Sequence, residues 1–213
     1  MTSSTTPEAA QPSSLPNTLT IARLIAAPVV AGLLLGAGQT MYTAGRDPTL
    51  WLLVAAFVVF LLAALTDWLD GAMARRLNAT STLGAALDHA ADKALVTACL
   101  VALAATALPG DLVIAAAIIV TRDVAVAGLR EGLSLSGRAL PVSSLGKWKT
   151  AVELIAIGAA IALQIAALAL PAEGRVIEPI NVLAFATRAS LWTAAALALW
   201  SGAEYVQAAL RKP

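Results

Sequence analysis

The chain has 213 residues, 59% of them hydrophobic and only 13% charged, with a net charge of +1. A soluble domain carries about 25% charged residues, so the composition excludes an ordinary soluble fold, and the near-zero charge gives no case for an electrostatic nucleic-acid binder. A single cysteine, Cys99, excludes an internal disulfide and a metal–thiolate motif, and its apolar surroundings read as core.

Residues 1 to 14 are rich in Ser, Thr and Pro and contain no Lys or Arg. They lack the positive start of a secretory signal and read as a short disordered tail on the cytoplasmic side. The remainder, 15 to 213, reads as one domain of six transmembrane helices, since each apolar run approaches or exceeds the roughly 20 residues that cross a bilayer. Pro16 and Asn17 suit a helix entry, and the first span is expected from about 18 to 38. Asn17, Thr20 and Arg23 follow at a spacing of three and share a face. A buried arginine at such a place is costly unless it snorkels or meets an anion. Residues 39 to 49, with Gly45, Asp47 and Pro48, read as a loop.

The second span is expected from about 50 to 77 and the third from about 83 to 108, with turn and cap residues between them. Asp67 lies about 25 Å along the second span at 1.5 Å per residue, which puts it near the far interface instead of the midplane. Asp70 is three residues on, and Asp88 and Asp92 are four apart at the start of the third span, so each pair shares a helix face at one membrane level. Pro109-Gly110-Asp111 closes a short turn. The fourth span, about 112 to 133, carries Arg122, Asp123, Arg130 and Glu131 in its second half. The fifth opens with Lys147, Lys149 and Glu153 and runs to about 170. A loop is expected over 171 to 187, with an interfacial patch from Val182 to Phe185, and the sixth span from about 189 to 209.

With six spans both termini lie on one side. That side carries Arg75, Arg76, Arg130, Arg138, Lys147, Lys149, Arg211 and Lys212, against Arg46, Arg175 and Arg188 on the other. The positive-inside rule makes the first side cytoplasmic, and the four aspartates fall there. Arg76, Arg138, Arg211 and Lys212 read as anchors of helix ends.

Four carboxylates crowded into an apolar chain repel one another unless a cation sits among them. Without a His or Cys cluster, they suit hard divalent ions such as Mg²⁺ or Mn²⁺. Two ions are the usual device for neutralising a diphosphate and clamping an in-line displacement. Gly71 and Ala74 leave room for a flat ligand near the backbone, and Arg75 is suited to grip a phosphate oxygen. Arg122, Arg130 and Lys149 form a second cationic group on the same side, which suits a reaction between two phosphate-bearing substrates. An ion or proton transporter also needs intramembrane acids, but places them at the midplane on broken helices and leaves Gly71, Ala74 and Arg75 unexplained.

The run Asp67-x2-Asp70-Gly71-x2-Ala74-Arg75-x8-Gly84-x3-Asp88-x3-Asp92 resembles the signature of the CDP-alcohol phosphatidyltransferase family at all eight fixed positions. Asn17-x2-Thr20-x2-Arg23, Arg122-Asp123, Gly128-Leu129-Arg130, Leu145 to Thr150 and Ser201 to Tyr205 resemble the bacterial branch that makes phosphatidylglycerophosphate and CMP from CDP-diacylglycerol and sn-glycerol 3-phosphate. Two positions depart from that branch: Asp123 where Glu is common, and His89 where Pro is common.

The resemblance implies the all-α CDP-alcohol phosphotransferase fold in the inner (cytoplasmic) membrane, with a cytoplasmic active site and a homodimer. It implies two divalent ions on Asp67, Asp70, Asp88 and Asp92, with Asp92 also the general base. It implies a CDP site lined by Gly71, Ala74 and Arg75, with Asn17, Thr20 and Asp67. Arg122, Arg130 and Lys149 are then expected to hold the phosphate of glycerol 3-phosphate. Serine, inositol phosphate and phosphatidylglycerol are the acceptors used by relatives with the same signature, and the cationic group disfavours serine. Gly128 and Gly132, at GxxxG spacing, suit close helix packing.

Overall fold

In hydrocarbon every backbone N–H and C=O must find a partner within its own segment, so a chain this apolar is driven to helices. The computed structural model describes the backbone of residues 14–77, 82–135, 144–170 and 177–210, and side chains within 20–66, 90–135, 148–170 and 178–210. The described residues form six helices and no strand: α1 (Ser14–Thr43), α2 (Arg46–Leu77), α3 (Thr82–Thr106), α4 (Gly110–Leu135), α5 (Ser144–Ala169) and α6 (Ile177–Leu210). Five of them, α1, α2, α4, α5 and α6, are long and apolar enough to cross a membrane. α3 has 25 residues, about 37 Å at 1.5 Å per residue, and packs among the others. The expected tail lies outside the described residues, apart from Ser14, which opens α1.

Two expected loops are largely helical. Over 39–49 only Ala44 and Gly45 break the helix. Ala44 and Gly45 both donate their N–H to the Thr40 carbonyl, and Gly45 has φ +87°, the left-handed conformation that ends a helix and that glycine adopts without a Cβ penalty. Pro48 falls in the first turn of α2, and Pro179 in the first turn of α6, which starts at Ile177 instead of near 189. The first N–H groups of a helix have no intrahelical partner, so proline costs nothing there. Val182 and Phe185, the expected interfacial patch, are exposed on α6.

α1 packs against α2 and α3, α6 against α4 and α5, and α5 also against α2 and α3, while α3 meets α4. The shared core is built from Val30, Leu34, Phe60, Leu95, Cys99, Leu103, Ile119, Ile157 and Leu191, with alanines such as Ala56, Ala115, Ala156 and Ala194 between them. Small residues matter here because lipid supplies no hydrophobic drive between helices, and packing must come from close backbone approach. Gly38 is one such contact: a Cβ there would sit 2.7 Å from Thr106 Cγ2 of α3. Cys99 is fully buried in this core, as its surroundings predict. Large apolar side chains such as Leu62, Ile114, Ile155 and Leu199 face outward, the inverse of a soluble protein and the arrangement lipid requires.

Candidate active site

Short connections bring the polar residues to one end of the bundle. Only residues 78–81 separate the end of α2 from the start of α3. Asp67, Asp70, Gly71, Ala74 and Arg75 therefore lie on the last turns of α2, and Asp88 and Asp92 on the first turns of α3, at the same end. Asn17 is on the opening turns of α1. The side chains of Asn17, Asp67, Asp70, Gly71, Ala74, Arg75 and Asp88 lie outside the described residues. Asp92, Thr20, Arg122, Arg130 and Lys149 lie within them.

Thr20 and Arg23 are buried on the face of α1 that the spacing of three marked out. The Arg23 guanidinium and the Lys149 ammonium lie within electrostatic reach of the Asp92 carboxylate. Asp92 itself is partly buried, with Oδ2 3.9 Å from Lys93 Nζ, too long for a hydrogen bond.

The centre of the described site is Asp123 of α4, whose side chain is 3% exposed. Three cations from three helices share this one carboxylate. Lys149 Nζ of α5 donates to Oδ1 at 2.5 Å. Arg122 Nη1 donates to the same oxygen at 3.0 Å. Lys93 Nζ of α3 donates to Oδ2 at 2.9 Å. Lys149 is in turn 2.6 Å from Glu153 Oε1, one turn further along α5. Lys149 and Glu153 are both 1% exposed. The remaining nitrogens of Arg122 reach α6: Nε donates to the Ala198 carbonyl at 3.1 Å, and Nη2 to Ser201 Oγ at 2.8 Å. Its guanidinium carbon sits 5.6 Å from the centre of the Tyr205 ring, within cation–π range. A Cβ on Gly202 would meet Arg122 Cγ at 3.1 Å, so the absent side chain makes room for the arginine stem.

The structure thus brings Arg122 and Lys149, expected on the same side, close together, but with protein carboxylates already between them. Each guanidinium nitrogen of Arg122 has a protein partner. Arg130, two turns further along α4, is partly exposed and makes no ion pair among the described residues. Sequence reading gave no role to Lys93 or Glu153. The signals for them were the residue following Asp92 and the i,i+4 partner of Lys149, a helix-face pair. Gly128 and Gly132 lie beyond this cluster on α4, and a Cβ on either meets nothing within 4 Å among the described residues.

The opposite end of the bundle has different contents. Arg188 pairs with Asp111 at 3.0 Å on an exposed surface. Arg46 donates to the Ala169 carbonyl. A cleft of about 320 Å³ lies beside the α3–α4 turn, and its lining is apolar apart from Gln164, Thr187 and Arg188. It has none of the charge clustering found at the Asp92 end.

The sequence model of the CDP-alcohol phosphatidyltransferases matches residues 13–200. A CDP-diacylglycerol--glycerol-3-phosphate 3-phosphatidyltransferase of Cereibacter sphaeroides is 39% identical over 145 residues, covering 68% of this chain and 61% of that protein. A protein of the same name from Haemophilus influenzae is 33% identical over 154 residues, covering 71% and 75%. A cardiolipin synthase (CMP-forming) of Oryza sativa subsp. japonica is 34% identical over 206 residues, covering 91% and 56%. The chain thus spans about three fifths of the Cereibacter and Oryza proteins.

Proposed function

The chain belongs to the CDP-alcohol phosphatidyltransferase family, and from that premise we propose that it transfers the phosphatidyl group of CDP-diacylglycerol to sn-glycerol 3-phosphate, releasing CMP. The observation that carries the acceptor assignment is the group of cations around Asp123, at the same bundle end as Asp92 and the other signature acids. Such a site suits an alcohol that brings its own phosphate. The names of the Cereibacter and Haemophilus relatives support the same substrate pair.

The donor half rests on α2 and α3. Asp67, Asp70, Asp88 and Asp92 would hold two divalent ions, Mg²⁺ or Mn²⁺. The donor set fits, because it is carboxylate only and Asp92 is not drawn into a close pair with Lys93. Bound there, such ions neutralise diphosphate charge and stabilise both the attacking and the leaving oxygen. Gly71, Ala74 and Arg75, with Asn17, Thr20 and Asp67, would line the CDP moiety. CDP-diacylglycerol enters from the lipid with its acyl chains still in the bilayer.

Asp92 takes the proton of the glycerol 3-phosphate 1-hydroxyl. That oxygen forms a bond to the phosphorus carrying diacylglycerol, and the bond from this phosphorus to the CMP oxygen breaks. Fixed in-line geometry and removal of charge supply most of the acceleration. Arg122, Arg130 and Lys149 hold the acceptor phosphate. Arg130 is open to it, whereas Arg122 and Lys149 meet it in competition with Asp123. The proposal places the site on the cytoplasmic side of the inner membrane by the positive-inside bias. It makes the protein a homodimer, and the GxxxG spacing of Gly128 and Gly132 suits close helix contact.

A second reading comes from the cardiolipin synthase of Oryza sativa subsp. japonica, whose match covers 91% of the chain. There the acceptor would be phosphatidylglycerol. One assay separates the two. Purified protein in lipid vesicles with CDP-diacylglycerol and Mg²⁺ should release CMP with glycerol 3-phosphate, and far less with inositol phosphate, serine or phosphatidylglycerol. Release with phosphatidylglycerol alone overturns the acceptor assignment. Asp92→Asn should abolish release, and near-normal turnover in that variant removes Asp92 from the base role.

A further inference from the structure

Glu153 has no part in the mechanism above, yet it is a carboxylate buried among helices, with side-chain exposure of 0%. Neither of its oxygens has a hydrogen-bond partner among the described residues, and its contact with Lys149 at 2.6 Å is an ion pair without hydrogen-bond alignment. A carboxylate in such a place is costly to strip of water. Lys149 does not need it as its only counter-charge, because Asp123 already accepts from the same ammonium. What Glu153 changes is the charge of the cluster. Lys93, Arg122 and Lys149 share Asp123, and Lys93 also lies 3.9 Å from Asp92. Glu153 lowers the net charge of this group by one. The position of the charge matters as well. Glu153 lies one turn further from the start of α5 than Lys149, so it draws the ammonium inward, away from the bundle end where a soluble acceptor arrives.

We propose that Glu153 is a positioning residue that acts through Lys149 to limit how tightly a phosphate monoester is held at this end of the bundle. The inference rests on the acceptor reading proposed above and extends it to product release. In that reaction the phosphate of glycerol 3-phosphate is unchanged: the reacting atom is the hydroxyl oxygen at the other end, and the product still carries the monoester. Interactions with an unchanged group stabilise substrate, transition state and product alike. Uniform binding of this kind lowers KM without raising kcat, and beyond a point it delays departure of the product, a common limit on turnover. A cluster more positive by one charge, in a low-dielectric site, would hold both phosphates more tightly. Glu153 supplies the opposing charge and pulls on the lysine beside it.

The test compares the wild type with Glu153→Gln and Glu153→Asp, each reconstituted in phosphatidylcholine vesicles. The assay reads KM and kcat for both substrates and inhibition by inorganic phosphate, and calorimetry reads phosphate affinity directly. Glu153→Gln keeps the shape and removes the charge. It should lower KM for glycerol 3-phosphate and the phosphate inhibition constant by roughly three- to tenfold, the scale of one charge acting across a partly hydrated site. It should also lower kcat and leave KM for CDP-diacylglycerol unchanged. Glu153→Asp draws the carboxylate back from Lys149 and should move the same quantities in the same direction by less, so the direction is readable even if the glutamine variant does not fold. Weaker phosphate binding in either variant, unchanged phosphate affinity, or equal shifts in both KM values overturns the proposal. A purely structural role moves the unfolding temperature without that split. If the wild type makes no use of glycerol 3-phosphate, the acceptor reading fails alone, and the phosphate affinities still decide the role of Glu153.

Discussion

Replacing Asp123 with Asn tests whether one carboxylate holds three helices together. The wild-type oxygens accept from Lys149 at 2.5 Å, Arg122 at 3.0 Å and Lys93 at 2.9 Å. An amide keeps one acceptor oxygen and turns an NH₂ toward cations on the other side, so at least one ammonium or guanidinium faces a donor. Among the described residues Glu153 pairs with Lys149 alone, and Asp92 is 3.9 Å from Lys93, so neither replaces the lost charge. Removing one partner from a buried ionic cluster costs about 3–5 kcal/mol. For a domain of this size each kcal/mol moves the midpoint by about 2–4 °C, which gives a loss on the order of 10 °C. The assay is thermal unfolding in detergent followed by tryptophan fluorescence. Asp123→Glu keeps the charge and should recover most of the loss. Ser201→Ala, which removes one neutral acceptor from Arg122, should cost only about 1 kcal/mol. An Asp123→Asn protein that melts within about 2 °C of the wild type would refute the cluster as a structural hub.

Gly38→Ala places a methyl 2.7 Å from Thr106 Cγ2 and 3.0 Å from its Cβ. It should destabilise the α1–α3 contact by about 1–3 kcal/mol, read by the same melt. Gly202→Ala puts its methyl 3.1 Å from Arg122 Cγ, and that arginine is pinned at three nitrogens. A loss of about 1–2 kcal/mol is expected, and the loss should shrink in an Arg122→Lys background, whose slimmer stem can move aside. Chelation with EDTA should abolish CMP release, and Mg²⁺ or Mn²⁺ should restore it. Full activity after chelation rules out the metal role of the four aspartates.

The membrane character and the helix order were legible because apolar runs of bilayer length need no tertiary information. So was the end of the bundle that carries the acids, since a four-residue connection between α2 and α3 leaves Asp67, Asp70, Asp88 and Asp92 no other arrangement. Helix ends were less legible. Gly45 ends α1 by its positive φ, while Pro48 and Pro179, which read as loop residues, sit in first turns where no N–H is missed. The partners of the cations were not legible at all. Whether Lys149 meets a ligand or Asp123 depends on how α4 and α5 are rotated against each other, and one sequence does not carry that angle. Glu153 reads as a charge at a helix start, and only packing places it beyond solvent.

Arg122 and Arg130 show why that distinction matters. They are two turns apart on one helix and chemically identical, and sequence reading gave them one role. The fold separates them. Arg122 reaches α6, which contributes no charge in return: a carbonyl from Ala198, a hydroxyl from Ser201, a ring face from Tyr205 and an absent side chain at Gly202. With the Nη1 bond to Asp123, each of its three nitrogens has a protein partner. Any ligand that recruits Arg122 must therefore break contacts that tie α4 to α6. Arg130 makes no ion pair among the described residues, so in the proposed site it would meet a phosphate without breaking one. In the proposed acceptor site the cations would thus be graded: Arg130 near the bundle end without an ion pair among the described residues, and two deeper ones held by carboxylates that a phosphate would have to outbid. In that reading, the depth an acceptor reaches would be set by how strongly Asp123 and Glu153 hold what lies behind them.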